Sequence, residues 1–439
     1  MERLPLRTKL IFGLGGMGMN LCDMVWLQWI YMRYAPDETH ALVPAAVLGA
    51  IIMAARVGEC FYNIFVGHTS DNLRSKRGRR IPFMRAATVP LALVFFFMFI
   101  PPSGCPAWFI GLYIFVLLNL YLFCYAAVIT PYLSLLPELT SDLDERVALT
   151  ISQSVFIMFA SIIFSLMGSI LKAGGWVAVA GVVAFVTIAA LMPAALIIRE
   201  KPRDSAKPDA RPPLFESMRL TLQNPAFWHI ALSTSVYWFS LNMIIAVVPM
   251  WVIYVLGRPE SDVTVVMIPF LVMNVAGFFL FNILIKRFGK YAMFLVTLFG
   301  SGLAFLSICG VGHMPFVSEW IQTILVVGLI GVPVSGFMVI PFALLADAVD
   351  YDEQCTGQRR EAIYFSMQGV TQKLMLGLSA MAFPFLVFYG GQPGARTATA
   401  LGVKLVALAA FAGCVASFLF FLKYPLRERE GKVCLVQPE

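Results

Sequence analysis

Arg56, Glu59 and Asn63 stand inside a run of residues apolar enough to cross a lipid bilayer. Their i, i+3, i+7 spacing puts a guanidinium, a carboxylate and an amide on one face of a helix. Such a face is poorly matched to lipid, and charges at membrane depth line a pathway or a protein-buried site. A further ionisable group, Lys373, lies about three turns into another apolar run. An ammonium at that depth needs a counter-charge, and Glu59 and Asp23 are the carboxylates available for it.

The elements that position these groups follow from composition. Of the 439 residues 59% are hydrophobic and only 13% charged, with a mean hydropathy of +0.81. A soluble globular chain carries roughly 25% charged residues, so this one is dissolved in lipid. At about 20 apolar residues per crossing, the sequence predicts twelve membrane helices, near 8–34, 41–66, 81–101, 106–130, 146–172, 175–198, 226–256, 262–285, 290–312, 319–343, 361–390 and 397–422. Of the 32 Lys and Arg, 24 fall in the two termini and in the loops after even-numbered helices. The positive-inside rule then places both termini in the cytoplasm. Because anionic headgroups account for that distribution, the net charge of +7 calls for no nucleic-acid partner. The eight cysteines show no paired spacing, which predicts neither a disulfide framework nor a metal site.

Residues 199–225 hold six Lys or Arg and five Pro between two apolar blocks. They predict a cytoplasmic linker between six-helix bundles at 1–198 and 226–423, with 424–439 a cytoplasmic tail. The fold expected is an all-α membrane protein of two pseudo-symmetric bundles. In support, Pro131-Tyr132 leading to Glu138 at the end of helix four is echoed by Pro341-Phe342 leading to Asp347 at the end of helix ten, as internal repeats produce.

Helix one carries Gly13, Gly15, Gly16 and Gly18, small residues that let a neighbour approach closely. Beyond them Asn20 and Asp23 share a face, followed by Trp26 and Trp29, a pattern that predicts a wet, aromatic-lined cavity. Helix seven is polar-speckled, with Trp238 among its serines, and helix eleven holds Gln368 and Gln372. With Tyr125 and Ser154, the residues Asn20, Asp23, Trp26, Trp238, Gln368 and Gln372 are the candidate solute-binding set.

Basic and acidic loops on one membrane face predict a cytoplasmic gate. Asp71, Arg74, Arg79 and Arg80 follow helix two; Glu138, Asp144 and Arg146 follow helix four. After helix ten, Asp347 and Asp350 open an acidic loop that closes on Arg359 and Arg360. An isolated surface pair contributes about 0–1 kcal/mol, so the gate reading depends on a network.

These residues resemble the glycoside-pentoside-hexuronide group of cation symporters in the major facilitator superfamily, typified by the melibiose permease. The resemblance runs over nearly the whole chain. It rests on Thr8-Lys9-Leu10 with Gly13 and Gly15, Ala55-Arg56 leading to Glu59 and Asn63, Gly78 with Pro82, Pro131 with Ser134 and Pro137, and Ala346-Asp347 with Asp350-Tyr351 ahead of Gln368 and Lys373. It implies a major facilitator fold that works by alternating access. It also implies a cation-coupling set of Glu59, Asn63, Arg56 and Lys373, with sodium or a proton as coupling ion and no other cofactor.

Four departures matter. Asn63 and Ile129 stand where the family has carboxylates, Asn20 stands at a sugar-binding aspartate, and Ser154 replaces an arginine. A less negative cation site weakens the case for sodium and leaves room for a proton on Glu59, since burial disfavours a carboxylate's charged form. The expected function is symport of a sugar or glycoside-like solute by a monomer in the plasma or bacterial inner membrane. The alternatives are a carrier of lysolipid-like amphiphiles, for which the apolar Ile129 leaves room, and a transport-inactive sensor. None of the four histidines has a catalytic motif around it, so no enzyme is expected.

Overall fold

The structure, a computed structural model, describes residues 4–36, 40–72, 78, 80–139, 143–198, 214–313, 316–356, 361–391, 397–429 and 432–435. Twelve of its helices are long and apolar enough to cross a membrane. With no water in the hydrocarbon, each backbone N–H and C=O must be satisfied within its own segment, and the helix does this.

The chain divides into two compact units, Met1–Lys207 with Pro259–Thr264, and Pro208–Arg258 with Val265–Glu439. The first contains α1 (Leu6–Tyr34), α2 (Ala45–Asn72), α3 (Ile81–Met98), α4 (Ala107–Leu139), α5 (Leu143–Ser165) and α6 (Met167–Ile197). Here α1 packs on α5 and α6, α3 on α4 and α6, and α2 on α4. The second begins with a short helix, α7 (Leu214–Gln223), inside the expected linker. It continues with α8 (Pro225–Met250), α10 (Lys290–Leu306), α11 (Glu319–Thr356), α12 (Glu361–Val387) and α13 (Ala400–Leu422), while α9 (Ser261–Phe288) starts in the first unit and continues in the second. The pairing repeats: α8 packs on α12 and α13, α10 on α11 and α13, and α9 on α11 through Asn274 Nδ2 donating to the Gly331 carbonyl at 3.2 Å.

The helix-one glycines do the packing their size allows. A methyl on Gly15 would lie 2.5 Å from the Tyr132 ring, on Gly16 2.7 Å from Gln153, and on Gly18 2.9 Å from the Ala190 methyl. Those approaches bring α1 against α4, α5 and α6, and Phe12, Tyr132 and Leu149 share the core they form.

Several helix ends differ from the sequence expectation. α2 continues to Asn72, α4 to Leu139 and α11 to Thr356, so Asp347, Asp350, Asp352 and Glu353 are helical and do not form a loop. Polar residues end the apolar run without ending the hydrogen-bonded helix. The break expected between helices five and six coincides with Gly174 and Gly175, whose φ of −145° and 64° are non-helical. The positive value at Gly175 is one that glycine adopts without strain. Beyond α13, the segment expected as a tail is tied down. Tyr424 and Leu426 are buried, the Tyr424 hydroxyl donates to the Leu344 carbonyl at 3.0 Å, and β1 (Leu426–Arg429) pairs antiparallel with β2 (Lys432–Leu435).

Candidate functional site

The polar face of α2 makes its own ion pair. Arg56 Nη1 lies 2.7 Å from Glu59 Oε2, and the two residues are only 3% and 4% exposed. The i, i+3 spacing brings the two heads together, and α1 covers them. The Arg56 guanidinium sits 4.6 Å from the centroid of the Trp26 ring, and the Trp26 indole N–H donates to Asp23 Oδ1 at 2.9 Å. Asp23 and Glu59 both act electrostatically on Arg56. Arg56 Nε and Nη2 are buried with no acceptor among the described residues.

Aromatic rings from α4 line the same region. Tyr121 meets Trp26 edge-on at 6.2 Å and stacks with Tyr125 at 5.8 Å, and Tyr125 is within electrostatic range of Asp23, Glu59 and Arg56. One turn along α2, Asn63 Nδ2 donates to the Glu59 carbonyl at 2.8 Å, and its Oδ1 accepts from the Thr130 hydroxyl at 3.3 Å. The structure therefore brings Asp23, Trp26, Tyr125, Arg56, Glu59 and Asn63 into one cluster within the first unit. Asn20 bonds its own helix at the Gly16 carbonyl, 2.9 Å away. Ser154 is exposed and bonds the Thr150 carbonyl. Tyr121 and Thr130 are additions that the sequence reading misses, although Tyr121 stands four residues, one helical turn, before Tyr125.

In the second unit, Gln368 is buried and donates from Nε2 to the Thr234 hydroxyl at 3.1 Å. Trp238 meets Phe337 edge-on at 5.6 Å. Gln372 and Lys373 are half-buried on the same helix as Gln368. The polar speckle of α8 is largely used in holding helices together. Ser233 exchanges hydrogen bonds with Ser417, Ser235 donates to Thr371 at 2.8 Å, Tyr237 bonds Ser301 at 2.7 Å, and Asn242 donates to Ser379 at 2.6 Å.

Of the residues expected at the gate, Asp347 Oδ1 is ion-paired with Lys290 Nζ at 2.7 Å, which ties the C-terminal part of α11 to the start of α10. Lys290 follows Gly289 as Arg79 follows Gly78, a signal the sequence reading passed over. In the first unit Lys9 pairs with Glu145 at 2.8 Å, joining α1 to α5. Arg80 is buried and Asp350 half-buried. Arg74, Arg79, Arg359 and Arg360, and the side chains of Asp71, Glu138, Asp144 and Arg146, lie outside the described residues. No group of three or more His, Cys, Asp or Glu able to hold a metal occurs among the described residues.

With this geometry in place, comparison with known proteins is decisive on the family. Residues 11–428 match the family described as MFS/sugar transport protein. The chain belongs to that family. This carrier is 24% identical to the glucuronide carrier protein homolog of Escherichia coli (strain K12), over 99% of its own length and 96% of the relative's. It is 25% identical to the isoprimeverose transporter of Lactiplantibacillus pentosus, over 80% of this chain and 74% of that one. In fold it is similar to a variant of the nucleoside transporter NupG, with a TM-score of 0.69 at 13% identity, covering 95% of this chain and 99% of that structure. It is therefore a multi-pass membrane protein with the major facilitator fold, a secondary-active transporter of a small solute and not an enzyme.

Proposed function

We propose that this carrier is a cation-coupled symporter of a sugar or glycoside-like solute, of the glycoside-pentoside-hexuronide type, working by alternating access. The observation that carries the reading is the cluster of the buried Arg56 and Glu59 with the half-buried Asp23 beside the Trp26 ring. Two carboxylates and one guanidinium leave one negative charge in a region that disfavours net charge, and a single sodium ion or proton neutralises it. Binding of that cation weakens the hold of Glu59 on Arg56 and frees guanidinium donors for solute hydroxyls. Tyr125, half-buried, offers a ring of the kind on which sugar rings stack, while Tyr121, stacked on it, and Trp26 are buried. Relatives named as a glucuronide carrier homolog and an isoprimeverose transporter support the solute class.

Within this reading Lys373, Gln368, Gln372 and Trp238 are the solute-binding candidates of the second unit, and the Lys290–Asp347 pair belongs to the cytoplasmic gate. Both termini are cytoplasmic, the membrane is the plasma or bacterial inner membrane, and one chain suffices. The test is solute uptake into sealed proteoliposomes under an imposed proton or sodium gradient. Glu59→Gln is expected to abolish uphill accumulation while sparing solute exchange. Accumulation at the normal level in that variant overturns the coupling assignment, and uptake that follows acyl chain length without competition by free sugars overturns the solute class.

A further inference from the structure

The second unit contains a cavity of about 200 Å³ that the transport reading does not use. It lies where the π-helical turn Trp251–Val255 after α8, the 3-10 turn Ser307–Gly310 after α10, and the first residues of α11 and α13 come together. Lys290 is at the opposite end of α10 and Asp347 lies in the C-terminal part of α11, about 24 Å and about 42 Å away along those helices at about 1.5 Å per residue. The lining includes Trp251, His313, Glu319, Val403 and Lys404, and α12, with Gln368 and Lys373, supplies none of it.

The chemistry of the wall is specific. It brings the exposed Glu319 and His313 together with the half-buried Lys404 and the buried Trp251 around one space that opens to the surface. Glu319 and Lys404 share the cavity, yet no ion pair joins them among the described residues. Opposite charges held apart across a small space match a ligand that itself carries both charges. The size sets an upper bound, because pockets for drug-sized ligands run to about 300–1,000 Å³; a disaccharide is too large and a small amino acid is not.

The wall is also held in place before any ligand arrives. The Gln322 side chain accepts from the Gly312 N–H at 2.8 Å and donates to the Val317 carbonyl at 2.5 Å, which ties the backbone beside His313 to the start of α11. Gly312 has a φ of 89°, and a Cβ there would lie 3.2 Å from Glu319 Oε1, so glycine keeps room for that carboxylate. On the facing side the Leu256 N–H bonds the Trp251 carbonyl five residues back at 3.0 Å. Such π-turns recur at functional sites.

We propose that this cavity is an accessory binding site for a small zwitterion of the amino-acid class. The ligand carboxylate lies on Lys404, with His313 beside it, the ligand ammonium lies on Glu319, and Trp251 and Val403 cover the carbon skeleton. The site is separate from the one that carries the solute, and the proposal does not depend on what that solute is.

The test is the thermal stability of the purified full chain in detergent, titrated with glycine, L-alanine, L-leucine and γ-aminobutyrate, with acetate and methylammonium as single-charge controls. A ligand of the folded state raises its apparent melting temperature. At least one zwitterion is expected to give a saturable rise that neither control gives. Lys404→Gln and Glu319→Gln are each expected to raise the half-saturating concentration about tenfold or more, the size of one lost charge-assisted hydrogen bond. Ala400→Phe, which fills the cavity from its edge and leaves its charges in place, is expected to abolish the rise. The proposal is overturned if no zwitterion gives a saturable rise, if a control gives the same one, or if the rise survives in all three variants. A rise lost only in Asp23→Asn, which places binding in the first unit, also overturns it.

Discussion

Removing the charge of Glu59 tests the central cluster through stability alone, independently of transport. Arg56 and Glu59 are 3% and 4% exposed and 2.7 Å apart. Breaking such a buried pair by deleting one partner costs about 3–5 kcal/mol, because the other charge stays buried. Glu59→Gln falls below the top of that range for two reasons. The glutamine carbonyl still accepts a hydrogen bond, so the loss there is the difference between a charged acceptor worth about 1.5–3 kcal/mol and a neutral one worth about 0.5–1.5 kcal/mol. Asp23 also continues to act on the guanidinium. The expected loss is about 2–3 kcal/mol. Arg56→Met is expected to cost more, since it leaves two carboxylates without their guanidinium and removes the contact with Trp26. In a double-mutant cycle read by denaturant unfolding in detergent, Arg56→Met with Glu59→Gln should cost less than the two single losses together, by about 2 kcal/mol. Additivity to within about 0.5 kcal/mol refutes the pair and the charge argument built on it.

Two further outcomes follow from packing and from the gate. Gly18→Val places its Cβ 2.9 Å from the Ala190 methyl and 3.2 Å from the Thr187 backbone, with two γ-methyls beyond; it is expected to destabilise by about 1–3 kcal/mol, with partial recovery in the Ala190→Gly background, both read from unfolding curves. The Lys290–Asp347 side chains are 23% and 15% exposed, so Lys290→Ala is expected to cost about 1 kcal/mol or less in stability while changing the uptake rate; the exchanged pair Lys290→Asp with Asp347→Lys is expected to restore that rate in proteoliposomes.

The twelve crossings are legible in the sequence because hydrocarbon thickness dictates a length of apolar residues and little else satisfies the backbone there. Helix ends are less legible. Asp347, Asp350, Asp352 and Glu353 are charged, which announces the end of the apolar run but does not end the α-helix. Spacing puts Arg56 and Glu59 on one face, yet it does not say that they bond each other. It says nothing at all of Lys290, which is 57 residues from Asp347. The serines of α8 show a different limit. A polar residue in a membrane helix serves equally for a solute-facing surface or a helix–helix hydrogen bond, and Ser233, Ser235, Tyr237 and Asn242 prove to be the second kind once their partners Ser417, Thr371, Ser301 and Ser379 are known.

The charge inventory of the first unit gives the departures from the family pattern a physical meaning. Asn63 and Ile129 stand at two positions where the resemblance implies carboxylates. Were Glu59 the sole remaining acid, Arg56 would neutralise it, and the cluster would have no electrostatic reason to take up a cation. Asp23, one helical turn beyond Asn20 and fixed by the Trp26 indole, returns one negative charge to the cluster. It does so on α1, a different helix from the one that carries Glu59 and Arg56. In the symport proposed above, uptake of a cation would change the balance of attraction between α1 and α2 through Arg56, on which both carboxylates act. On that proposal the cluster would tie a cation to helix packing within one unit, with fewer carboxylates than the resemblance implies.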